Sequence, residues 1–375
     1  MATNSNQRST AGQRKMSAKQ REAKKKRKVI IFAIEIIIIL AMVAVLYLVM
    51  SHTNNEGPKR VELNEEALAI PEQIQQEKEE GGTMKGYMNI ALFGVDATKE
   101  SQLYKGSRSD SIMIASVNMD TGDIKLVSVY RDTYLNIGTD SYQKCNSAYS
   151  FGGAEQAVKM LNMNLDMDIT DFVTVGYAGL SEVIDGLGGI YIDVDKEELK
   201  HINNYQIGIA EVLKCDYQAV TETGLQRLNG LQATAYCRIR YTKGDDFKRA
   251  ARQREVIMAI EEQAKKASFS ELSAAFEGAI DDIYTSLSDD EILDLIKNIA
   301  KYQIVDEGGF PEESMRTVAN IGAKGSSVIP MDLEQNVVWL HQFFFDDQEY
   351  VVTDSVREYS EKIKADTTPY INRIN

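Results

Sequence analysis

The 375-residue chain carries 42 Lys and Arg against 56 Asp and Glu, a formal charge of −14, and 43% of its residues are apolar. With 25 Gly, 5 Pro and 3 Cys, it is excluded from the collagen-like, disulfide-scaffold and wholly disordered classes. The average hides three unlike segments: +9 on residues 1–28 and −1 on the apolar run 29–50 leave −22 on residues 51–375.

Residues 29–50 hold a single charge, Glu35. As a helix this run is about 33 Å long, enough to cross a hydrocarbon core of ~30 Å, and it is read as a transmembrane helix. The alternative is a cleaved signal peptide. Its apolar stretch would be about 7–15 residues and would end in small residues, whereas this run ends Leu48-Val49-Met50-Ser51-His52. The cluster Lys24-Lys25-Lys26-Arg27-Lys28 places residues 1–28 in the cytoplasm as a basic tail, by the positive-inside bias, so residues 51–375 face outward. Glu35 costs about 2–3 kcal/mol within the span.

Residues 51–85 are polar and rich in Glu and Gln, which reads as an extracellular stalk. Short β-type runs follow at 88–95, 111–118 and 124–130, the last two joined by the turn residues 119–123. Helical periodicity occupies 154–163, with Ala157, Met160 and Leu161 on one face. Then come a strand over 172–177, a short helix through Ile184, the turn Gly186-Leu187-Gly188-Gly189 and a strand over 190–194. Residues 235–241 alternate as a strand and 247–267 read as a long helix, with further helices at 270–284, 288–302 and 332–345. The polar tail 351–375 reads as frayed from Tyr359 onward. Alternating strands and helices predict an α/β sheet covered by helices on both faces, in one domain over 86–350, because no Pro/Ser/Gly linker divides it.

Cys145, Cys215 and Cys237 are odd in number, so at most one pair forms within the chain, and Cys237 reads as a small buried apolar residue. No C-x-x-C or His cluster suggests zinc. The anomaly is positive charge inside a strongly acidic region: residues 238–254 hold seven Lys and Arg against two Asp. Arg238 and Arg240, two apart on the expected strand, leave one face. Arg249, Arg252 and Gln253, at i, i+3 and i+4, share a helix surface. Planar guanidinium forks suit phosphate oxygens, so the pattern points to a phosphate or another multiply charged anion. The bland alternative is a solvated, salt-bridged helix face. Against it, the strand arginines are not on a free helix surface, and residues 248–254 lack acidic partners at i, i+4.

Asp96 and Asp110 flank neighbouring strands, where two carboxylates with waters and phosphate oxygens suit Mg²⁺. Arg131 and Asp132 close the third strand. Singly, an Asp after a strand is more often a turn or cap residue.

Together these residues resemble the LytR-CpsA-Psr family. The resemblance is carried by Gly94-Val95-Asp96, Arg108-Ser109-Asp110, Ser128-Val129-Tyr130-Arg131-Asp132-Thr133, Lys144-Cys145-Asn146-Ser147-Ala148-Tyr149 and Asp185-Gly186-Leu187-Gly188-Gly189. It continues through Leu228-Asn229-Gly230-Leu231-Gln232-Ala233, Arg238-Ile239-Arg240, Asp246-Phe247-Lys248-Arg249 and Arg252-Gln253-Arg254, covering residues 88–265. It implies an α-β-α sandwich with a central mixed sheet and a prenyl-binding apolar pocket. It also implies an extracytoplasmic phosphotransferase of Gram-positive bacteria. Such an enzyme moves a teichoic acid, capsule or other wall glycopolymer from an undecaprenyl-pyrophosphate carrier to peptidoglycan N-acetylmuramic acid. By motif, Asp96 and Asp110 would hold Mg²⁺ (or Mn²⁺), while Arg108, Arg131, Arg238, Arg240, Arg249 and Gln253 would bind the pyrophosphate, with Arg252 an addition. Arg131 and Arg249 would carry catalysis, and Asp132 would be a base for the attacking hydroxyl or an ion pair orienting Arg131.

The chain departs from the family at Val129-Tyr130, where Ile-Pro is usual, and at Cys145 and Cys237, where aliphatic residues are usual. A hydrolase using the same cluster and a non-catalytic regulatory module remain alternatives. A charge of −22 argues against DNA, and the partner expected for the basic tail is the anionic inner leaflet.

Overall fold

The computed structural model describes residues 59–372, apart from 98–100, 139, 241–244, 269–270, 273–274 and 276–277. The apolar run 29–50 lies outside the described residues, among which no helix is long and apolar enough to cross a membrane.

The described chain is mixed α/β. Its centre is a seven-stranded mixed sheet, in the order β1 (Lys59–Arg60), β10 (Ile283–Thr285), β7 (Asp171–Val175), β2 (Tyr87–Val95), β3 (Ser109–Asn118), β4 (Asp123–Val129), β11 (Gln303–Phe310). The core is the meander β2 (Tyr87–Val95), β3 (Ser109–Asn118) and β4 (Asp123–Val129), all antiparallel, with Gly122 at φ +85° in the β3–β4 turn. The period of two sorts the side chains to two faces. Ala91, Phe93, Val95, Ile112, Ile114, Val127 and Val129 enter the large core cluster, while Leu92, Met113, Ala115 and Leu126 belong to a separate cluster with Ile257.

Both ends of the described chain depart from the sequence reading. The stalk expected over 51–85 is, from residue 59, part of the packed domain. β1 (Lys59–Arg60) extends the sheet edge, and α1 (Glu72–Glu80) follows, with Leu68, Ile74 and Met84 buried in the main core. The short α2 (Ser101–Tyr104) precedes β3. After the ribbon of β5 (Tyr134–Asn136) and β6 (Tyr142–Lys144), α3 (Ser147–Leu165) covers the main core. β7 (Asp171–Val175) then pairs parallel with β2 and leads into α4 (Tyr177–Gly186).

β8 (Ile190–Val194) matches its expected bounds, and a helix absent from the sequence reading, α5 (Lys196–Leu213), follows it. Its start is written in the sequence: Asp195 caps Glu198 N–H and the Glu198 carboxylate accepts from Asp195 N–H, a capping box. β9 (Gly224–Leu228) pairs antiparallel with β8. Next is α6 (Gly230–Tyr236), which replaces the first part of the strand expected over 235–241. Asn229 and Gln232 form a second capping box, so local capping wins over an accidental alternation. The long helix α7 (Asp245–Lys266) is as expected.

Of the helix expected over 270–284, the described residues 271, 272, 275, 278 and 279 are helical, and the chain then passes through a 3-10 turn (Ile280–Asp282) into β10 (Ile283–Thr285), which pairs antiparallel with β7. The next expected helix shortens to α8 (Asp289–Lys297), capped by Ser288. β11 (Gln303–Phe310) runs parallel to β4 and was hidden by its polar edge-strand composition. A hairpin of β12 (Arg316–Asn320) and β13 (Ser326–Pro330) precedes α9 (Leu333–Phe345). The tail expected to fray is α10 (Asp354–Ile371), which buries Val356, Ser360, Ile363 and Thr367.

Candidate functional site

The strand ends β2–Asp96 and β3–Asp110 lie side by side, because Val95 pairs with Ser109 across the antiparallel ladder. Asp110 is a hub. Its carboxylate accepts from Arg131 Nη1 at 2.8 Å and from Arg240 Nη2 at 2.7 Å, and its carbonyl accepts from Arg249 Nη2 at 2.8 Å. Arg131 follows β4, Arg240 follows α6 and Arg249 lies in α7, so three separate stretches send guanidinium groups to one aspartate. Asp246, at the start of α7, bridges two of them, lying 3.3 Å from Arg131 Nη2 and 3.4 Å from Arg249 Nη1. Asp246 joins the site beyond the residues the sequence reading assigns to it. Its position three residues before Arg249 was the available signal.

Local structure fixes Arg131. Thr133 N–H donates to Tyr130 O, Asn146 N–H to Arg131 O and Cys145 N–H to Thr133 O, closing a tight turn backed by the buried Cys145 thiol. Tyr130 stands where proline is usual in the sequences this chain resembles, and its N–H donates to Phe310 O at 3.0 Å, a bond that proline could not make. Its ring packs edge-on against Phe247 at 4.7 Å, with Arg316 stacked on Phe247 at 4.2 Å, and Gly309 leaves room for its hydroxyl. Asp132 sits between Lys144 (3.2 Å) and Arg131 Nε (3.8 Å), an ion-paired setting.

The electrostatics are uneven. Burial would raise Asp110, but Arg131, Arg249 and Arg240 outweigh it and hold its carboxyl below the usual range. Burial is likewise outweighed at Asp246 by Arg249 and Arg131, and its carboxyl is also lowered. Arg131 is raised despite burial, because Asp110, Asp246 and Asp132 surround it. Arg249 goes the other way: burial and then the neighbouring Arg131 push it down to about 10, so the shared carboxylates do not offset its desolvation. Arg249 is only 4% exposed, and the Nε atoms of Arg131 and Arg249 are buried without a hydrogen-bond acceptor among the described residues. Arg131, Arg240, Arg249 and Lys144 against Asp110, Asp246 and Asp132 leave one uncompensated positive charge in a half-buried site, the condition for recruiting an anion.

This cluster opens on a cavity of about 290 Å³ lined by β2, β3, β7, α4, α6 and α7. Leu92, Met113, Val173, Leu180, Val256 and Ile260 make its walls apolar, and Asp110, Arg238, Arg240, Arg249 and Gln253 stand among its lining. Arg238 stacks on Tyr177 at 4.4 Å and lies 3.8 Å from Asp96, whose side chain is half exposed. Arg238 and Arg240 therefore reach the site from the irregular segment after α6 rather than from a strand.

Two expected residues fall elsewhere. Arg252 does not line the cavity; it is 2% exposed and paired with Glu198 of α5 at 2.8 Å. Its place at i+3 from Arg249 turns it toward the flank that α5 covers, whereas Gln253 at i+4 stays with the cavity. Arg108 is exposed just before β3 and makes no ion pair among the described residues. The three cysteines are free, with Cys145 and Cys237 buried and Cys215 exposed.

Among the described residues no group of three or more His, Cys, Asp or Glu could enclose a metal. Both Asp110 carboxylate oxygens accept from arginines and Asp96 lies 3.8 Å from Arg238, so the two carboxylates would suit Mg²⁺ only where phosphate oxygens take over those arginine contacts and, with water, complete the coordination.

Fold and site together define an α/β domain with an arginine–carboxylate cluster at the mouth of an apolar cavity. The LytR_cpsA_psr family model matches residues 50–331, and the chain belongs to that family. It is 31% identical over 218 residues to a polyisoprenyl-teichoic acid–peptidoglycan teichoic acid transferase TagU of Bacillus mycoides, covering 56% of this chain and 64% of the relative. A TagU of Enterococcus faecalis is also 31% identical, over 207 residues, covering 54% and 63%. The chain thus spans slightly less than two thirds of the length of these curated relatives. The crystal structure of B. subtilis TagV superposes with a TM-score of 0.54 at 25% identity, covering 69% of this chain and 98% of that one.

Proposed function

We propose that the protein is a membrane-anchored, outward-facing phosphotransferase. It would move an anionic glycopolymer, a teichoic acid or capsule-type polymer, from an undecaprenyl-pyrophosphate carrier to peptidoglycan N-acetylmuramic acid. The reading carries with it an α-β-α sandwich preceded by a transmembrane helix over residues 29–50. The observation that supports it most is the convergence of Arg131, Arg240 and Arg249 on Asp110 beside an apolar cavity. A diphosphate joined to a hydrocarbon chain has the matching pair of chemistries. The names of the TagU relatives support the choice of donor and acceptor.

In this mechanism the prenyl chain lies along Leu92, Met113, Leu180, Val256 and Ile260. The diphosphate displaces part of the arginine–carboxylate pairing at the cavity mouth. Arg131, Arg240 and Arg249 then face oxygens that gain charge as the acceptor hydroxyl attacks the sugar-proximal phosphorus. The bond from that phosphorus to the bridging oxygen breaks, polyprenyl monophosphate departs with the electron pair, and the hydroxyl's proton ends on that monophosphate or on water. Arg131 stays in place through Asp132 and Lys144, and Asp132 is its orienting partner. Gln253 and Arg238 contact the donor from the cavity side, and Arg108 reaches it from solvent. Asp96 and Asp110 would hold Mg²⁺ or Mn²⁺, which when bound neutralises charge on the phosphate oxygens.

The test uses the full chain in proteoliposomes with Mg²⁺, a prenyl-diphosphate-linked glycan and uncrosslinked peptidoglycan. Glycan attached to the wall polymer is the expected product. Free glycan phosphate without acceptor labelling would identify a hydrolase, and no turnover with intact donor would contradict the proposal.

A further inference from the structure

We infer that Glu198 and Arg252 form a buried clamp that positions Arg238 and Arg240 for the diphosphate, an inference resting on the site reading above. Neither residue lines the cavity, and their side chains are only 4% and 2% exposed. A buried ion pair costs desolvation, which leaves the question of what it does for the fold.

The contacts answer it. One oxygen of Glu198 accepts from Asp195 N–H at 3.0 Å, inside the capping box of α5, and the other accepts from Arg252 Nε at 2.8 Å. The carboxylate is thereby fixed to a helix end at one oxygen and to Arg252 at the other. Arg252 spends a further branch of its fork on the backbone, donating from Nη1 to Ile239 O at 3.1 Å. Ile239 lies between the two site arginines. Its segment has left α6, held by turn bonds from Arg238 N–H to Ala235 O and from Ile239 N–H to Tyr236 O. Residues 237–240 lie in no ladder or helix; Gln253 Nε2 reaches Cys237 O at 3.4 Å, and the Arg252 fork grips the segment at the residue that separates Arg238 from Arg240.

The network reaches one layer further. Tyr236 donates its hydroxyl to Glu255 Oε2 at 2.8 Å and lies 3.5 Å from Glu198 Oε1, while the Arg252 guanidinium sits over its ring at 5.7 Å. The last residue of α6 is therefore tied to both α5 and α7. Geometry, more than charge, is what Arg252 supplies. A lysine would keep the positive charge beside Glu198 but has no planar fork to span Glu198 and Ile239 O at once.

The test compares Arg252→Lys, the apolar double variant Glu198→Met/Arg252→Met, and Arg249→Met as a site control, each in the full chain. Calorimetry reads the affinity for farnesyl diphosphate and for farnesol, and circular dichroism reads folding. Arg252→Lys is expected to stay folded and to lose about ten-fold in affinity for the diphosphate while farnesol binding is unchanged, as for one misplaced charge-assisted contact. The double variant removes both ends of the buried pair together, and if folded it is expected to show the same selective loss. Wild-type diphosphate affinity in folded Arg252→Lys, with Arg249→Met impaired, overturns the clamp. Equal loss for farnesol and the diphosphate also overturns it, because that outcome marks a merely structural pair. Wild-type affinity in Arg249→Met refutes the underlying site instead.

Discussion

Arg249→Met separates a ligand site from a structural ion-pair network. Arg249 is 4% exposed, and its guanidinium is held at about 10 rather than its ordinary 12.5. A difference of that size costs the folded state on the order of 3 kcal/mol, with the attraction of Asp110 and Asp246 already included. Methionine has a similar stem and no charge, so the substitution removes this cost while giving up the 2.8 Å bond to Asp110 O, worth roughly 1.5–3 kcal/mol as a charge-assisted bond. The two nearly balance, and the variant is expected to melt within a few degrees of wild type or slightly above it. Ligand binding does not balance. Losing a fork that makes two charge-assisted bonds to phosphate is worth at least ~3 kcal/mol, or more than about 100-fold in transfer. Thermal unfolding and the proteoliposome transfer assay read the two effects on one preparation. A variant that melts well below wild type yet transfers normally would refute the reasoning, because Arg249 would then serve the fold and not the donor.

Asp110 and Asp246 are both held below the usual carboxylate range, after burial is outweighed by the arginines. Each therefore adds stability above the unfolded value of about 4, and that stability is lost as pH falls through the lower folded value. Denaturant titrations should show Asp246→Asn less stable than wild type at neutral pH, with the gap closing below about pH 4; a gap independent of pH would remove the ion-pair explanation. Val256→Trp places a ring into the apolar cavity and should weaken farnesol binding by about ten-fold or more while the arginine cluster still binds inorganic pyrophosphate. Unchanged farnesol affinity would place the hydrocarbon elsewhere.

The arginine cluster was readable in the sequence because its members are local in pairs: 249 with 253 by helical spacing, and 238 with 240 by proximity along the chain. The second pair does not sit on a strand. Residues 235–241 alternate like a strand, but the Asn229–Gln232 capping box starts a helix that runs to Tyr236, and a turn rather than a pleat delivers Arg238 and Arg240. Arg252 lies away from the cavity for a related reason. Helical spacing says which residues share a surface, but not which partner covers it; here α5, whose start Asp195 and Glu198 spell, covers it. The terminal α10 was missed because its buried stripe uses Ser360 and Thr367 beside Val356 and Ile363, which lowers the apolar contrast without changing the period. Residues 59–85 read as a spacer because Leu68, Ile74 and Met84, which enter the core, are sparse among charged residues. Asp246 needed the three-dimensional fact that Arg131 arrives beside the first turn of α7.

The most direct measurement is a crystal structure of the protein with farnesyl diphosphate, the two phosphorus atoms located by anomalous scattering. The account predicts both phosphates within hydrogen-bonding reach of Arg131, Arg240 and Arg249, with the farnesyl chain between Leu180 and Ile260. Phosphates bound away from those guanidinium groups, or a chain lying outside the cavity, would contradict it.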